Sequence, residues 1–208
     1  MGFPMAKNLL KKKLFLKIFS RTIEKAKPLE EFGAKIFNSL NDAVKDTDVI
    51  ITMLTDDNAV EKVLSDKSFQ DNLKKGSTVI DMSSIKPKIA IKYGNLLKEK
   101  GINFLDAPVS GGTIGAEQAT LAIMVGGDQK VFDHVKDILK IVGNPTLVGP
   151  IGSGQISKLA NQIIVGVTIG AVAEAITLCE KAGVDGNKFI KALEGGFADG
   201  KILQNHGK

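Results

Sequence analysis

The stretch that decides the fold of this chain is Gly152-Ser153-Gly154-Gln155-Ile156-Ser157-Lys158-Leu159-Ala160-Asn161-Gln162. Its Gly-x-Gly turn interrupts the preceding structure, and a long apolar helix is expected to follow towards Cys179. On that helix, Lys158 is followed after three and four residues by Asn161 and Gln162, so the three side chains project from one face. Because burying an unpaired ammonium group is costly, this face is predicted to border a cleft, water or a ligand. The alternative is that Lys158 lies near the first turn and extends into solvent.

The composition of the 208-residue chain, with 43% hydrophobic and 25% charged residues, is typical of a globular protein with one or two domains. The net charge of +5 comes almost wholly from lysine, since Arg21 is the single arginine. Nucleic-acid surfaces rely on arginine and stacking aromatics, and with no Trp and one Tyr no nucleic-acid partner is expected. His134 and His206 have no cluster of ligands around them in sequence, so no metal site is expected.

The location predicted from the sequence is the cytoplasm. The single cysteine, Cys179, excludes an internal disulfide framework and fits a reducing compartment. The N-terminus lacks the basic segment, apolar run and cleavage site of a secretory signal. The most apolar segment, residues 163–178, contains Glu174 and is short for a bilayer span. It is therefore expected to be a buried core helix, with no membrane partner.

Apolar runs alternate with helical segments over the first 150 residues, a pattern typical of a mostly parallel sheet that is covered on both faces. Strands are expected at residues 14–19, 48–54, 77–82, 102–106, 120–125 and 146–148. Helices are expected at the N-terminus and at residues 23–32, 39–45, 58–64, 87–100 and 129–141. After Gly149-Pro150 only helix is expected, so the sequence predicts an α/β domain over residues 1–150 and a helical domain over 151–208.

Three of the expected strands end in polar or glycine-rich residues. Ligands of open α/β sheets bind outside the carboxyl ends of the strands. The last of the three is the most specific, because successive glycines expose backbone N–H groups to which an anion can come close. Each of the three taken singly is also consistent with an ordinary turn. They are Leu54-Thr55-Asp56-Asp57, Asp81-Met82-Ser83-Ser84 and Asp106-Ala107-Pro108-Val109-Ser110-Gly111-Gly112.

Arg21 follows the expected strand at 14–19. In a dinucleotide-binding unit the end of the second strand faces the adenosine ribose, where an acidic residue suits a free 2′-hydroxyl and an arginine accommodates a 2′-phosphate. No Asp or Glu lies immediately beside Arg21, so this position indicates NADP rather than NAD. The alternative is an ordinary exposed arginine.

Three motifs of the chain together resemble the β-hydroxyacid dehydrogenases. They occur in the family's order and spacing and extend over nearly the whole chain. The resemblance implies a Rossmann-type domain that binds NAD or NADP, followed by a helical domain entered through one long helix. It also implies reversible hydride transfer on a small 3-hydroxy or 3-oxo carboxylic acid. The motifs are Gly2-Phe3-Pro4-Met5-Ala6-Lys7-Asn8-Leu9, Asp106-Ala107-Pro108-Val109-Ser110-Gly111-Gly112 and Gly152-x-Gly154-x-x-x-Lys158-Leu159-Ala160-Asn161-Gln162.

The resemblance also implies roles for particular residues. Lys158 would be the catalytic acid and base, and Asn161 would hydrogen-bond the substrate. The substrate carboxylate would be held by Ser110, Gly111 and Gly112. The residues that would contact the cofactor are Gly2, Arg21, Thr22, Leu54, Thr55 and Ser84. The residues of the third motif are most similar to those of the branch of the family that reduces tartronate semialdehyde. The branch that oxidises 3-hydroxyisobutyrate is the alternative.

The chain departs from the family pattern at both ends. Family members begin with a strand and a Gly-x-Gly-x-x-Gly turn, whereas Met1-Gly2 matches only the end of that turn. The chain also stops at Lys208, soon after Gly195-Gly196, so the resemblance predicts truncation at both ends. The second hypothesis is therefore a catalytically inactive remnant that acts only in dimer assembly. In both cases the Gly- and Ala-rich helix is expected to pack against another copy of the chain.

Overall fold

The computed structural model describes residues 1–207 and divides into two compact units, Met1–Lys158 and Leu159–Lys208. A mostly parallel sheet forms the centre of the first unit, which has eight strands of two to seven residues. They are β1 (Lys17–Phe19), β2 (Lys35–Phe37), β3 (Val49–Thr52), β4 (Thr78–Asp81), β5 (Asn103–Asp106), β6 (Val109–Ser110), β7 (Leu121–Gly126) and β8 (Gly143–Gly149).

Six of these strands form one sheet in the order β3-β4-β5-β7-β6, with β8 also paired to β7. The pairs β3–β4, β4–β5 and β7–β8 are parallel, whereas β7 runs antiparallel to β5 and β6. β1 and β2 pair with each other in parallel as a separate two-stranded sheet. The prediction of a mostly parallel α/β sheet is therefore confirmed.

Seven α-helices accompany the strands of the first unit, and side-chain oxygens cap several of them. Asp56 accepts a hydrogen bond from the amide of Ala59, and Asp128 accepts from those of Lys130 and Val131. Caps of this kind satisfy amides that have no partner within the helix. The helices are α1 (Gly2–Lys11), α2 (Leu40–Val44), α3 (Asp57–Leu64), α4 (Lys67–Asn72), α5 (Pro87–Glu99), α6 (Gly112–Glu117) and α7 (Gln129–Lys140).

The helix expected over residues 23–32 is wrong. The structure has two 3₁₀ segments there, Ile23–Lys25 and Lys27–Phe32, because Pro28 has no amide to continue an α-helix from the preceding turn. Gly33 ends the second segment with a φ of 91°, as expected for a terminating glycine. The structure also contains β2, β6, α4 and α6, which the sequence did not predict because they are too short to show a clear periodicity.

The six-stranded sheet buries apolar side chains on both faces. Val79 and Ile80, adjacent on β4, belong to different hydrophobic clusters, as the alternation of side chains along a strand requires. α1 and α7 cover one face, for instance with Leu9 and Leu139. α3, α4 and α5 cover the other, so that the sheet is sandwiched between helices. Buried carboxyl groups lie instead at the carboxyl ends of the strands.

The second unit is helical, as predicted. α8 (Ser153–Lys181) begins in the first unit and is followed by α9 (Gly186–Ala192) and α10 (Lys201–His206). α9 packs on the last turns of α8, since a Cβ placed on Gly186 would lie 3.3 Å from Ile176 Cγ2. Asp185 caps α9 by accepting from the amide of Lys188.

The prediction that residues 163–178 form a buried core helix is wrong. Ile163, Ile164 and Val167 are 67%, 65% and 68% exposed, and Leu178 is 71% exposed. None of the most apolar 18-residue window of α8 is buried within the chain, and the helix is long and apolar enough to cross a membrane by length and composition. Two short helices, α9 and α10, follow α8 in the described part of the chain, and they leave these side chains uncovered. An apolar helix of this kind is normally covered, either by protein or by lipid.

Candidate active site

The first turn of α8 is held by an aspartate that is far away in the sequence. Gly152 stands at the N-cap position and has no side chain to cap the helix. Asp106, the last residue of β5, supplies the cap instead: its Oδ1 accepts from the amide of Gly152 at 2.7 Å and its Oδ2 from that of Gln155 at 2.9 Å. Burial raises the pKa of Asp106, and these amide donors oppose the rise. The helix that carries Lys158 is therefore anchored to the end of a central strand.

The two glycines of the Gly-x-Gly turn have different physical roles. Gly152 has a φ of 94°, a conformation that other residues adopt only with strain. Gly154 is needed for close approach, because a Cβ at this position would lie 2.7 Å from the carbonyl oxygen of Asp106 and would also overlap the carbonyl oxygen of Met124. The turn thus brings the N-terminus of α8 directly against the ends of β5 and β7.

Gln155 connects this turn to the residues that follow β4. It is 1% exposed, and its side-chain amide makes two hydrogen bonds to the backbone. Nε2 donates to the carbonyl oxygen of Ser83 at 2.8 Å, and Oε1 accepts from the amide of Ile85 at 3.0 Å. Ser84, an expected cofactor residue, is exposed between these two bonded positions.

A second buried carboxyl group lies at the end of β4. Asp81 Oδ1 accepts from the hydroxyls of Thr52 at 2.8 Å and Ser83 at 2.6 Å, whereas Oδ2 has no hydrogen-bond partner within the described residues. Burial raises the pKa of Asp81 to about 6, and the neighbouring Asp106 adds to the rise while the hydroxyls oppose it. Ser83 Oγ also accepts from the amide of Leu54 at 2.9 Å, which joins the ends of β3 and β4.

The Ser-Gly-Gly motif forms a turn at the start of α6. Ser110 ends β6 and is paired in register with Ala122, while Gly111 and Gly112 have φ values of 134° and 62°. Both glycines are exposed, and a side chain at either position would be strained. Asn8 ties α1 to the far end of α6 by donating to the carbonyl oxygen of Ala116 at 2.8 Å. The turn therefore presents backbone amides in a geometry that only glycine adopts readily, as an anion site requires.

Lys158 is partly buried one turn beyond Gln155 on α8. Burial lowers the pKa of its ammonium group, and no carboxylate among residues 1–207 forms an ion pair with it. Asn161 belongs to the second unit, where its Nδ2 donates to the side chain of Gln162 at 2.9 Å. A partly desolvated, unpaired amine of lowered pKa gives up its proton more readily than an exposed lysine does, which suits a group that transfers protons.

The remaining expected cofactor residues lie at three places in the first unit. Arg21 and Thr22 follow β1 and are exposed, and in the described residues Arg21 forms no ion pair. Thr55 is exposed beside Asp56, to which its hydroxyl donates at 2.9 Å. The structure brings Leu54 and the Ser84 loop into one hydrogen-bonded group, and it leaves Arg21 and Thr22 beside the separate two-stranded sheet.

The start of α1 is a helix N-terminus without a side-chain cap, a feature that could hold the phosphates of a dinucleotide. Gly2 opens the helix without a side-chain cap and with no acidic residue in the first turn. A Cβ on Gly2 would lie 3.9 Å from the Cβ of Met53, which directly follows β3. Free amides and the positive end of the helix dipole therefore lie beside the carboxyl end of the sheet, where an anionic group is stabilised.

Sequence reasoning did not assign roles to Gln155, Asp106 or Ser83. Their bonds join positions up to 72 residues apart, so no local pattern reveals them. A polar residue directly after Gly-x-Gly and an aspartate at a strand end were the available signals. No group of three or more His, Cys, Asp or Glu side chains in the described part of the chain is placed to hold a metal.

A mostly parallel sheet with helices on both faces, and with its polar network at the carboxyl ends of β3, β4 and β5, defines a nucleotide-binding domain of the Rossmann class. Comparison with known proteins agrees with this class. The family model described as the NAD binding domain of 6-phosphogluconate dehydrogenase matches residues 1–182. The chain belongs to the family of NAD(P)-dependent 3-hydroxyacid dehydrogenases, also called β-hydroxyacid dehydrogenases.

Relatives with assigned names fall in the same family. The chain is 43% identical to a 2-hydroxy-3-oxopropionate reductase of Escherichia coli, with all of this chain and 72% of that protein aligned. A solved 3-hydroxyisobutyrate dehydrogenase of Mycobacterium tuberculosis superposes with a TM-score of 0.88 at 31% identity, over 98% of this chain and 69% of that one. A Salmonella typhimurium 3-hydroxyisobutyrate dehydrogenase superposes with a TM-score of 0.87 at 26% identity, over 98% and 72%.

Proposed function

We propose that this chain reduces a small 3-oxo acid, tartronate semialdehyde in the first place, by reversible hydride transfer with NADPH. One observation carries the proposal: Lys158, an unpaired amine of lowered pKa, stands on a helix anchored by Asp106, the residue that ends β5 just before the Ser-Gly-Gly turn. The 43% identity to 2-hydroxy-3-oxopropionate reductase supports this substrate. Oxidation of 3-hydroxyisobutyrate is the alternative activity.

The substrate class follows from the chemistry of the Ser-Gly-Gly turn. Exposed amides of Gly111 and Gly112, with the hydroxyl of Ser110, suit a carboxylate. We assign Asn161, three residues beyond Lys158 on the same helix, to the substrate hydroxyl or carbonyl oxygen. The related Mycobacterium tuberculosis structure is described with L-serine, which is itself a small 3-hydroxy acid.

For the cofactor we propose NADP, with NAD as the alternative. Residues 1–150 would form the nucleotide-binding domain and residues 151–208 the start of the helical domain. Arg21 is free of ion pairs within the described residues, so its guanidinium is available to a 2′-phosphate. Gly2 would approach the pyrophosphate. Thr22, Leu54, Thr55 and Ser84 would line the rest of the nucleotide.

Lys158 would act as the general acid and base. The bound nicotinamide supplies the hydride in reduction and accepts it in oxidation. As negative charge develops on the substrate carbonyl oxygen, the Lys158 ammonium donates a proton to it, and in oxidation the neutral amine takes the proton back. Burial lowers the pKa of Lys158, which favours release of that proton to the substrate oxygen.

The exposed apolar side of α8 supports a homo-oligomer. Ile163, Ile164 and Val167 form a continuous apolar surface that the described chain leaves open. We propose that a second copy of the chain covers it in the cytoplasm. If the chain lacks activity, this surface favours the second candidate function, a catalytically inactive assembly partner.

The test is an assay of the purified 208-residue chain. NADPH and NADH are titrated by nicotinamide fluorescence, and turnover is then measured with tartronate semialdehyde and with 3-hydroxyisobutyrate. NADPH binding with faster turnover of tartronate semialdehyde supports the proposal. Binding with faster turnover of 3-hydroxyisobutyrate selects the alternative activity. A chain that binds neither nucleotide but forms a dimer on sedimentation refutes the enzymatic proposal and supports the assembly partner.

A further inference from the structure

Gln155 is a fully buried amide to which the proposed chemistry assigns no role. Its side chain has two polar atoms, and both bond to backbone groups of the segment after β4, the carbonyl oxygen of Ser83 and the amide of Ile85. The backbone amide of Gln155 donates to Asp106 Oδ2. Gln155 thus joins three parts of the first unit: the end of β5, the start of α8 and the segment 82–86, which we call the β4 loop.

The β4 loop is in turn bonded to the residues after β3. Ser83 Oγ accepts from the amide of Leu54 and donates to Asp81, so the ends of both strands belong to one hydrogen-bonded group. Ser84 projects from this group between the two positions that Gln155 holds. Gln155 is therefore the side chain that bonds the β4 loop, which carries Ser84, directly to the first turn of α8.

Lys158 follows Gln155 by three residues, which corresponds to about 4.5 Å along a helix axis and places both on neighbouring positions of one face. A helix turn is rigid on this scale, so a shift at Gln155 is passed on to Lys158. A side-chain amide is buried at low cost only when both of its polar atoms are hydrogen-bonded, as they are in Gln155. An apolar side chain of similar length would fill the same volume without needing two partners.

We propose that Gln155 is a positioning residue that sets the distance between the β4 loop, with its bound nucleotide, and the amine of Lys158. This inference rests on the proposed function for the identity of the nucleotide. Gln155 itself does not touch the reacting atoms. It acts by holding Ser83 and Ile85 against the first turn of α8.

The experiment compares two substitutions at this position with a matched control in the 208-residue chain. Gln155→Met removes both side-chain hydrogen bonds, and Gln155→Glu keeps the acceptor for Ile85 and loses the donor to Ser83. The control is Gln70→Met on α4, since Gln70 is also buried and donates to a backbone carbonyl, that of Leu64 at 2.7 Å. Gln70 has no place in the proposed site, so its loss reports the general cost of removing a buried amide.

The first readout is the reactivity of the Lys158 amine without cofactor, measured as a function of pH by competitive labelling relative to the exposed Lys188. Gln155→Met is expected to change the relative labelling of Lys158 by about threefold or more, with Gln155→Glu between it and the wild type. Gln70→Met should leave it unchanged.

The second readout is the dissociation constant for NADPH, with unfolding measured for every variant. Gln155→Met is expected to weaken NADPH binding about tenfold, whereas Gln70→Met leaves it unchanged at a comparable loss of stability. If Gln155→Met alters stability alone, with labelling and binding as in the control, the inference is overturned. If the wild type itself binds no NADPH, the proposed function fails, and the labelling of Lys158 alone decides for or against Gln155.

Discussion

Lys158 obtains its environment from residues that are distant in sequence. Asp106 caps the turn before it, Gln155 holds the β4 loop beside it, and burial lowers the pKa of its amine. The amine and the Ser-Gly-Gly turn could be predicted from sequence, because both belong to motifs with a recognisable spacing. Asp106 and Gln155 could not, since their hydrogen bonds form only when the ends of separate strands meet the helix.

Replacing Lys158 with methionine removes the proton donor but keeps a side chain of similar length. Turnover in the tartronate semialdehyde assay is expected to fall about 10²- to 10⁴-fold, while the dissociation constant for NADPH stays within about twofold. Lys188→Met, at an exposed position on α9, is the control and should leave both quantities unchanged. Unchanged turnover in the Lys158 variant would rule out its role as acid and base.

Asp81 makes the stability of the first unit depend on pH in an unusual direction. Its native pKa of about 6 is above the ordinary value of 3.8, so the folded state binds the proton more tightly than the unfolded state. The contribution of this group to stability is therefore fully present below the ordinary pKa and is lost as the pH rises through the native one. Its total size is about 3 kcal/mol.

Substitution of Asp81 with asparagine tests this dependence. The asparagine side chain does not ionise, so the free energy of unfolding of the Asp81→Asn variant, relative to the wild type, is expected to rise by about 2–2.5 kcal/mol between about pH 4 and pH 7. The measurement is urea denaturation at a series of pH values. Asp137→Asn is a control of opposite sign, because the hydrogen bond from Lys140 lowers the pKa of Asp137. A difference for Asp81→Asn that does not change with pH contradicts the assignment.

At the scale of elements, the long helices and the buried strands could be predicted from periodicity. α5, α7 and β4 have nearly the expected bounds because their apolar residues recur at helix or strand spacing over several turns or pairs. The failures have local causes: Pro28 replaced an α-helix by 3₁₀ turns, and elements of two to six residues have too few side chains to show a period. The burial of α8 could not be read from its composition, because an apolar helix has the same sequence whether protein covers it or not.

The start of α8 allows a matched pair of glycine substitutions on one helix. Gly154→Ala places a methyl group 2.7 Å from the carbonyl oxygen of Asp106, so it is expected to destabilise the chain by roughly 1–3 kcal/mol. Gly166→Ala meets no atom within 4 Å and removes a mid-helix glycine, so it should stabilise by roughly 0.5–1 kcal/mol. The free energies of unfolding are measured by denaturant titration. Equal effects of the two variants would show that α8 does not approach β5 as closely as described.

At the scale of the whole molecule, the two units differ in how they bury apolar surface. The first unit has helices on both faces of its sheet and buries its largest apolar side chains completely. The second leaves most of the apolar side chains of α8 exposed. Exposed apolar surface on this scale marks an interface, and a second copy of the chain is the partner we propose.

Two substitutions with glutamate on the apolar side of α8 test that association. The wild type is expected to sediment as a dimer at micromolar concentration, and the double variant Ile163→Glu, Val167→Glu as a monomer, because two charges cannot be buried there without partners. Lys181→Glu, at an exposed polar position on the same helix, is the control and should remain dimeric. A wild type that sediments as a monomer, or a double variant that stays dimeric, contradicts this surface as the interface. Detergent is added in a parallel run, and a dimer that forms only in its presence would point to lipid as the cover.

The cap that β5 provides for α8 has a consequence for the order of events as the polypeptide is made. Asp106 leaves the ribosome well before Gly152, so the carboxylate that accepts these hydrogen bonds is synthesised before the amides that donate them. An α8 peptide made alone lacks this anchor and keeps the frayed first turn of any uncapped helix. The environment that lowers the pKa of Lys158 therefore forms only after the strands beneath it have come together, and in a half-folded chain Lys158 is an ordinary lysine.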